Sequence, residues 1–204
     1  MNEIKNKLKT MDDVKRSAEK LRAFRKGFNL QHNNHEKIYN AVLDYFNSRL
    51  VEDAPKSKLD TDKGILVIGP TGTGKTAMLN AVMSSFGYYY DNDQSASPVN
   101  ARELNYQALD SERTASRVLQ GAMYSRMIVI DDLGEEKSDI LIYGTNINYT
   151  VMLLEKLLEK GSIFHATSNL NEAQLRQRYG DRLFSRMIAA FNVIKMEGND
   201  LRAL

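Results

Sequence analysis

Apolar residues recur along this chain at two different periods, and the period changes near residue 64. Leu8, Met11, Val14, Ala18, Leu21 and Phe24 fall at steps of three or four, which predicts an amphipathic helix. A polar break at Asn29–Asn34 follows. Asn33 with Glu36 then gives a capping-box-like start to a second helix, whose apolar stripe is Ile38, Ala41, Val42, Tyr45 and Leu50. Val51–Lys63, polar with one proline, reads as a linker. From Gly64 onward short apolar runs alternate with helical stretches. Strands are expected at Ile65–Ile68, Met127–Ile130, Ser162–Ala166 and Phe191–Met196. Helices are expected over Lys75–Phe86, from the Asn100/Glu103 start through Leu109, over Ser111–Met123 and over Asn146–Lys160. Within the last of these, Val151, Leu154, Leu157 and Leu158 point inward. Glu172–Tyr179 forms a further helix that stops at Gly180, and Asp181–Ala189 another. Such alternation implies an α/β domain with a mostly parallel sheet covered on both faces. The division expected is a helical segment over residues 1–55 and a larger domain over 56–204.

Composition changes this picture little. The chain has 204 residues, 42% of them apolar, which is enough for a real core. No apolar run is long enough to span a membrane, and MNEIKNKLKTMDD has no secretory h-region. Without cysteine there is neither a disulfide framework nor a thiolate zinc site, which fits a cytoplasmic protein. The net charge of +2 names no nucleic-acid partner. Residues 1–26 hold nine Lys/Arg against four Asp/Glu, which a solvated helix face explains. His32 and His35 lack a third ligand nearby, so capping or surface duty is expected of them rather than metal binding. Tyr88, Tyr89 and Tyr90 could stack on bases, and a short strand or half-buried edge explains them equally well.

The chemistry begins after the first strand. Gly69-Pro70-Thr71-Gly72-Thr73-Gly74-Lys75-Thr76 fills G-x-x-x-x-G-K-[ST] at every fixed position. A polyphosphate needs a run of backbone N–H groups turned inward, which the glycines permit, and the positive end of a following helix favours it further. Lys75 would reach the β- and γ-phosphates, and the Thr76 hydroxyl would ligand Mg²⁺. These eight residues, with Ala77 next to them, are the expected ATP-binding set. An ordinary glycine-rich turn is the plainer alternative, and the strand before and helix after the motif speak against it.

MIVIDD is the second block: a buried strand delivering carboxylates to the rim of the sheet. Asp131 would hold Mg²⁺ beside Thr76, and Asp132 would orient or deprotonate the attacking water. Asn169 closes the next strand; a neutral amide there can donate to the γ-phosphate or hold the water without adding charge. Arg182 and Arg186 lie four apart and share a helix face, which suits phosphate recognition or insertion into a neighbouring subunit's site. Surface ion pairing is the alternative. Arg202 is a further candidate to touch the nucleotide.

Taken together, the Walker A motif at Gly69–Thr76, IDDLGEE at Ile130–Glu136, TSN at Thr167–Asn169 and YGDRLFSR at Tyr179–Arg186 resemble the DnaC/DnaI helicase-loader and IstB group of AAA+ ATPases. The resemblance covers about residues 60–204. It implies an α/β P-loop NTPase of AAA+ type, with a five-stranded parallel sheet of order 5-1-4-3-2 preceded by a small helical segment. It implies Asn169 as sensor 1, Arg186 as arginine finger with Arg182 beside it, and Arg202 as a sensor-2-like residue. It also implies DNA binding and assembly into rings or spirals with ATP between subunits. Two departures stand out. Only eight residues follow Met196, so the usual helical lid is expected to be minimal or absent, and a chain without cysteine cannot carry the zinc module of DnaI-type loaders.

The function expected is an ATP-dependent helicase loader that forms a homo-oligomer on single-stranded DNA and binds a replicative DNA helicase through residues 1–55. A transposition helper preferring duplex DNA and a transposase is the alternative within the same chemistry. A P-loop kinase of small molecules is the alternative from another class, but no arginine-rich lid insertion is visible. A nucleotide-binding scaffold with negligible turnover is a third, and Asp132 and Asn169 speak against it.

Overall fold

The computed structural model describes residues 7–20, 35–88, 97–110, 112–125, 127–136, 140–142 and 145–201. The helices are α1 (Met11–Lys20), α2 (His35–Leu50), α3 (Lys75–Ser85), α4 (Ala101–Asp110), α5 (Glu112–Tyr124), α6 (Tyr149–Glu159) and α7 (Glu172–Ala190). The strands are β1 (Gly64–Ile68), β2 (Ser97–Asn100), β3 (Ile128–Asp131), β4 (Ile140–Ile142), β5 (Thr145–Ile147), β6 (His165–Ser168) and β7 (Phe191–Lys195). They divide into two compact units. One comprises Met1–Asp62, Pro70–Asp91 and Met196–Leu204; the other comprises Lys63–Gly69 and Asn92–Lys195.

The second unit is built on a five-stranded sheet of order β2-β3-β6-β1-β7, and every ladder in it is parallel. Counting only these five strands in chain order, the arrangement runs 5-1-4-3-2 from the β7 edge, as the resemblance implied. β1, flanked by β6 and β7, is buried at every position, as an interior strand of a covered parallel sheet must be. Leu66 and Ile68 share one apolar core with Leu104 of α4, Leu119 of α5, Leu153, Leu154 and Leu157 of α6, and Leu183 and Met187 of α7. Parallel pairing carries all five strand C-termini to one rim. Asn100 lies opposite Asp131, and Ile68 lies opposite both Ser168 and Lys195. That rim is where an open α/β sheet binds ligands.

Several local expectations shift. β2 was not expected; it contains Pro98 and occupies an edge, where a strand can do without one N–H donor. A helix from Asn146 was expected, but residues 145–147 pair with β4 in a small antiparallel ladder, and α6 starts only after Asn148, which caps it by accepting from Val151 N–H. Its inward residues are Tyr149, Leu153, Leu154 and Leu157, while Val151 and Leu158 are only partly buried. The fourth strand of the sheet starts at His165 rather than Ser162. His165 is buried there, and its Nδ1 accepts from Ile65 N–H across the sheet at 3.1 Å. Gly180 breaks α7 as expected, with φ 75° and ψ 162°.

In the other unit α1 and α2 both pack on α3. Thr10 and Asp13 cap α1 reciprocally, Thr10 N–H donating to Asp13 Oδ2 at 2.9 Å and Asp13 N–H to Thr10 Oγ1 at 3.4 Å. The buried side chain of Asn47 pairs with both backbone groups of Lys9, at 2.8 and 2.9 Å, tying the approach to α1 onto α2. Val14 and Ala18 face inward on α1, but Leu8 is 52% exposed, so the apolar stripe is shorter than its spacing suggested. On α2 the fully buried apolar residues are Tyr39, Val42, Leu43, Tyr45 and Phe46, and Ile38, Ala41 and Leu50 sit at the margin. Leu21, Phe24, His32 and Asn33 lie outside the described residues, as do Tyr89 and Tyr90. His35 is buried rather than surface-exposed, and its Nε2–H donates to the Glu197 carbonyl at 2.8 Å. Among the described residues no helix is long and apolar enough to cross a membrane.

Candidate functional site

The glycine-rich loop between β1 and α3, the candidate phosphate loop, closes on itself by elementary hydrogen bonding. The Pro70 carbonyl accepts from Thr73 Oγ1 at 2.9 Å and from Lys75 Nζ at 2.8 Å. Gly74 is the N-cap of α3 with φ 91°, a left-handed conformation that residues with a Cβ resist, and no side chain caps this helix start. Backbone N–H groups and helix dipole there make the arrangement that anions favour. Lys75 is 5% exposed, so its ammonium is held inside the loop. Thr76 and Ala77 are half-buried in the first turn of α3. Leu201 N–H donates to the Gly72 carbonyl at 3.0 Å, and a Cβ at Gly72 would fall 1.9 Å from Asp200 Oδ1. The segment after β7 is thereby laid on the loop. Arg202 follows it directly but lies outside the described residues.

In the sheet unit, the end of β3 and the turn after it are clamped by the last two residues of β6, Thr167 and Ser168, and by Asn169 just beyond it. Thr167 Oγ1 donates to Asp131 Oδ1 at 2.6 Å and accepts from Asp132 N–H at 3.1 Å, while its carbonyl accepts from Leu133 N–H at 2.8 Å. Ser168 Oγ donates to the Leu133 carbonyl at 2.5 Å and accepts from Leu170 N–H at 3.1 Å. Asn169 Nδ2 stands between two carboxylates, 3.4 Å from Asp132 Oδ1 and 3.5 Å from Glu135 Oε1. Glu135 also pairs with Arg102 of α4 at 3.4 Å. Asp132 has φ 55°, a left-handed backbone that aspartate tolerates better than most residues and that turns the chain sharply off the strand. Gly134 has φ 97°, and a Cβ on it would come within 2.5 Å of Leu170 Cδ1, so only glycine fits the turn without displacement.

The structure thus brings Asp131, Asp132 and Asn169 together at the rim. Sequence reasoning did not single out Thr167, which holds both aspartates, or Glu135, which shares Asn169. It also gave no separate role to Glu136. The Glu136 side chain is fully buried and accepts from Tyr179 Oη at 2.6 Å and from Gly134 N–H at 2.8 Å. Burial, and then the neighbouring Glu136 charge, push the Tyr179 phenol far above its ordinary range, so it stays a donor.

Arg182 and Arg186 follow the Gly180 break, Arg182 exposed and Arg186 half-buried, and neither enters the cluster at the end of β3 through a hydrogen bond or ion pair among the described residues. It is Arg176 and Asp181 that pair across the break, at 3.2 Å, and the Arg176 guanidinium lies over the Phe184 ring, 5.0 Å from its centroid. Among the described residues no group of three or more His, Asp or Glu is placed to hold a metal by itself.

No protein-family model and no curated protein matches the sequence. Solved structures do. The chain is similar to a structure of DnaI at 18% identity and TM-score 0.59, covering 94% of this chain and 93% of that one. It is similar to the DnaC helicase loader at 17% identity and TM-score 0.52, covering 82% and 96%. AMPPCP-bound DnaA from Aquifex aeolicus matches at 16% identity and TM-score 0.56, covering 87% of this chain and 51% of that one. At such identities the likeness speaks for the fold alone, an α/β architecture built on a five-stranded parallel sheet.

Proposed function

We propose that the protein is an ATPase that acts in DNA replication as a helicase loader. The observation that carries the reading is the end of β3, where Thr167 and Asn169 hold two aspartates in fixed and distinct settings at the binding rim of a fold shared along nearly its whole length with DnaI. The residues present fit ATP and Mg²⁺. Lys75 and the loop amides would bind the phosphates, the Lys75 ammonium exchanging the Pro70 carbonyl for a phosphate oxygen. Thr76 and Asp131 would supply oxygen donors for Mg²⁺, and the Thr167 hydroxyl, which donates to Asp131, would orient it as outer partners orient metal-ligating carboxylates. The ion, when bound, neutralises charge on the β- and γ-phosphates.

Asp132 accepts a proton from the attacking water or aligns it, and Asn169 fixes that carboxylate by donating to it. Arg186, with Arg182 beside it, completes the site of a neighbouring copy, which makes turnover depend on assembly. Arg202, which lies outside the described residues, is a candidate to contact the nucleotide. Residues 1–55 bind the replicative helicase, and the assembled copies bind single-stranded DNA.

The test is ATP hydrolysis by the full chain with single-stranded or duplex DNA of matched length. Stimulation by single strands supports loading. Stimulation by duplex alone moves the reading to a transposition helper, and phosphate transfer to a metabolite instead of water moves it to a kinase.

A further inference from the structure

The fully buried carboxylate of Glu136 joins two segments that the proposed chemistry uses separately. On one side is the turn after β3. Asp132 and Glu135 lie in it, Thr167 and Ser168 hold its start, and Glu136 ends it. On the other side is the last turn of α7 before Gly180. Tyr179 Oη donates to Glu136 Oε1 at 2.6 Å, Arg178 Nε lies 3.6 Å from the same oxygen, and an Arg178 Nη2–H donates to the Glu136 backbone carbonyl. Glu136 Oε2 in turn accepts from Gly134 N–H at 2.8 Å, closing the turn on itself. Both segments belong to the sheet unit.

A buried carboxylate is costly unless paired and hydrogen-bonded, and apolar residues of similar volume often serve stability as well or better. Stability alone therefore does not account for a glutamate here. What a charged, fully satisfied group adds is a single geometry. The turn carries the carboxylates that Asn169 bridges, at 3.4 and 3.5 Å, so a shift at Glu136 displaces Glu135 and loosens the hold on Asp132. Tyr179 immediately precedes the residue at which α7 breaks, so its anchorage sets where the Asp181–Ala190 half begins, and that half carries Arg182 and Arg186.

We propose that Glu136 and Tyr179 are positioning residues for hydrolysis, a latch that holds the turn bearing Asp132 and the arm bearing Arg186 in one fixed arrangement. The proposal rests on the ATPase reading above and deepens it: the group that aligns water and the group donated to the neighbouring copy are set by the same buried contact.

The test uses the full chain with Tyr179→Phe, which removes only the donor, and Glu136→Gln, which keeps shape and an acceptor. Turnover at saturating ATP is expected to fall roughly tenfold or more in both, the scale seen for outer partners of working carboxylates. ATP affinity should stay within about twofold, because the phosphate loop makes none of these contacts, and Glu136→Ala should fall further than Glu136→Gln. Wild-type turnover in both conservative variants overturns the latch, and so does a loss that merely tracks the folded fraction. Amide hydrogen exchange gives a reading independent of activity. Tyr179→Phe should speed exchange in both 133–136 and 181–186, and unchanged exchange at either segment counts against the proposal. If the wild-type chain binds ATP without hydrolysing it, the ATPase reading fails, and exchange alone decides whether the latch exists.

Discussion

Thr167 Oγ1 donates to Asp131 Oδ1 at 2.6 Å and accepts from Asp132 N–H at 3.1 Å, so one hydroxyl orients the carboxylate proposed for Mg²⁺ and the backbone of the carboxylate proposed for water. Replacing it with the near-isosteric valine leaves a partly buried N–H and a carboxylate without that partner. Thr167→Val should cost about 1–3 kcal/mol of stability. It should also raise the Mg²⁺ concentration needed for half-maximal hydrolysis. Thr167→Ser should restore both, and a denaturant melt with a Mg²⁺ titration of turnover measures them.

Lys75→Ala should weaken ATP binding by roughly 10- to 100-fold, the worth of a charge-assisted hydrogen bond of about 1.5–3 kcal/mol. Titration with a fluorescent ATP analogue measures it. Because Lys75 also closes the loop onto the Pro70 carbonyl, the melting temperature of the variant should be recorded alongside.

Gly134→Ala should destabilise by about 1–3 kcal/mol, since φ 97° is strained for any residue with a Cβ and the new methyl meets Leu170 Cδ1 at 2.5 Å. Adding Leu170→Ala relieves the contact but not the backbone strain. The double variant should therefore show less than the sum of the two single losses in a denaturant melt.

Stability should fall on the alkaline side more than tyrosine content alone suggests. Burial pushes the Tyr45 phenol up from 10.0 to about 12, and burial with the Glu136 charge pushes Tyr179 up further. A raised folded-state value means the native chain keeps protons that the unfolded chain releases. The stabilisation is complete below the ordinary tyrosine range and is lost as pH climbs from about 10 toward 12 and beyond. Tyr45→Phe should flatten that limb in melts between pH 9 and 12, and an unchanged slope contradicts the assignment.

The sequence was informative where chemistry dictates residue types at fixed spacing. Polyphosphate binding needs Gly69, Gly74, Lys75 and Thr76 in that order, and a strand must deliver Asp131 and Asp132 to the rim. The alternating periods were likewise enough for the parallel sheet. What escaped depended on register. Thr167 serves Asp131 only because β3 and β6 pair with Ile130 opposite Ala166, a relation no local pattern carries. Glu136 looked like one more acid in a polar turn until the fold placed Tyr179 over it. β2 hid behind Pro98, which demotes a strand except at an edge, and β4 and β5 are too short to show a period.

One mixing experiment tests the central claim most directly. Lys75→Ala removes the proposed phosphate grip from a copy, and Arg186→Ala removes the arginine proposed to reach a neighbouring copy. Each should be nearly inactive alone in the presence of single-stranded DNA, with ATP binding largely intact in Arg186→Ala. Combined in equal amounts, they should recover ATP hydrolysis well above the sum of the two, because an Arg186→Ala copy binds ATP and a Lys75→Ala neighbour supplies the arginine. A mixture no faster than its parts, with a wild-type rate per copy independent of protein concentration, would contradict the account.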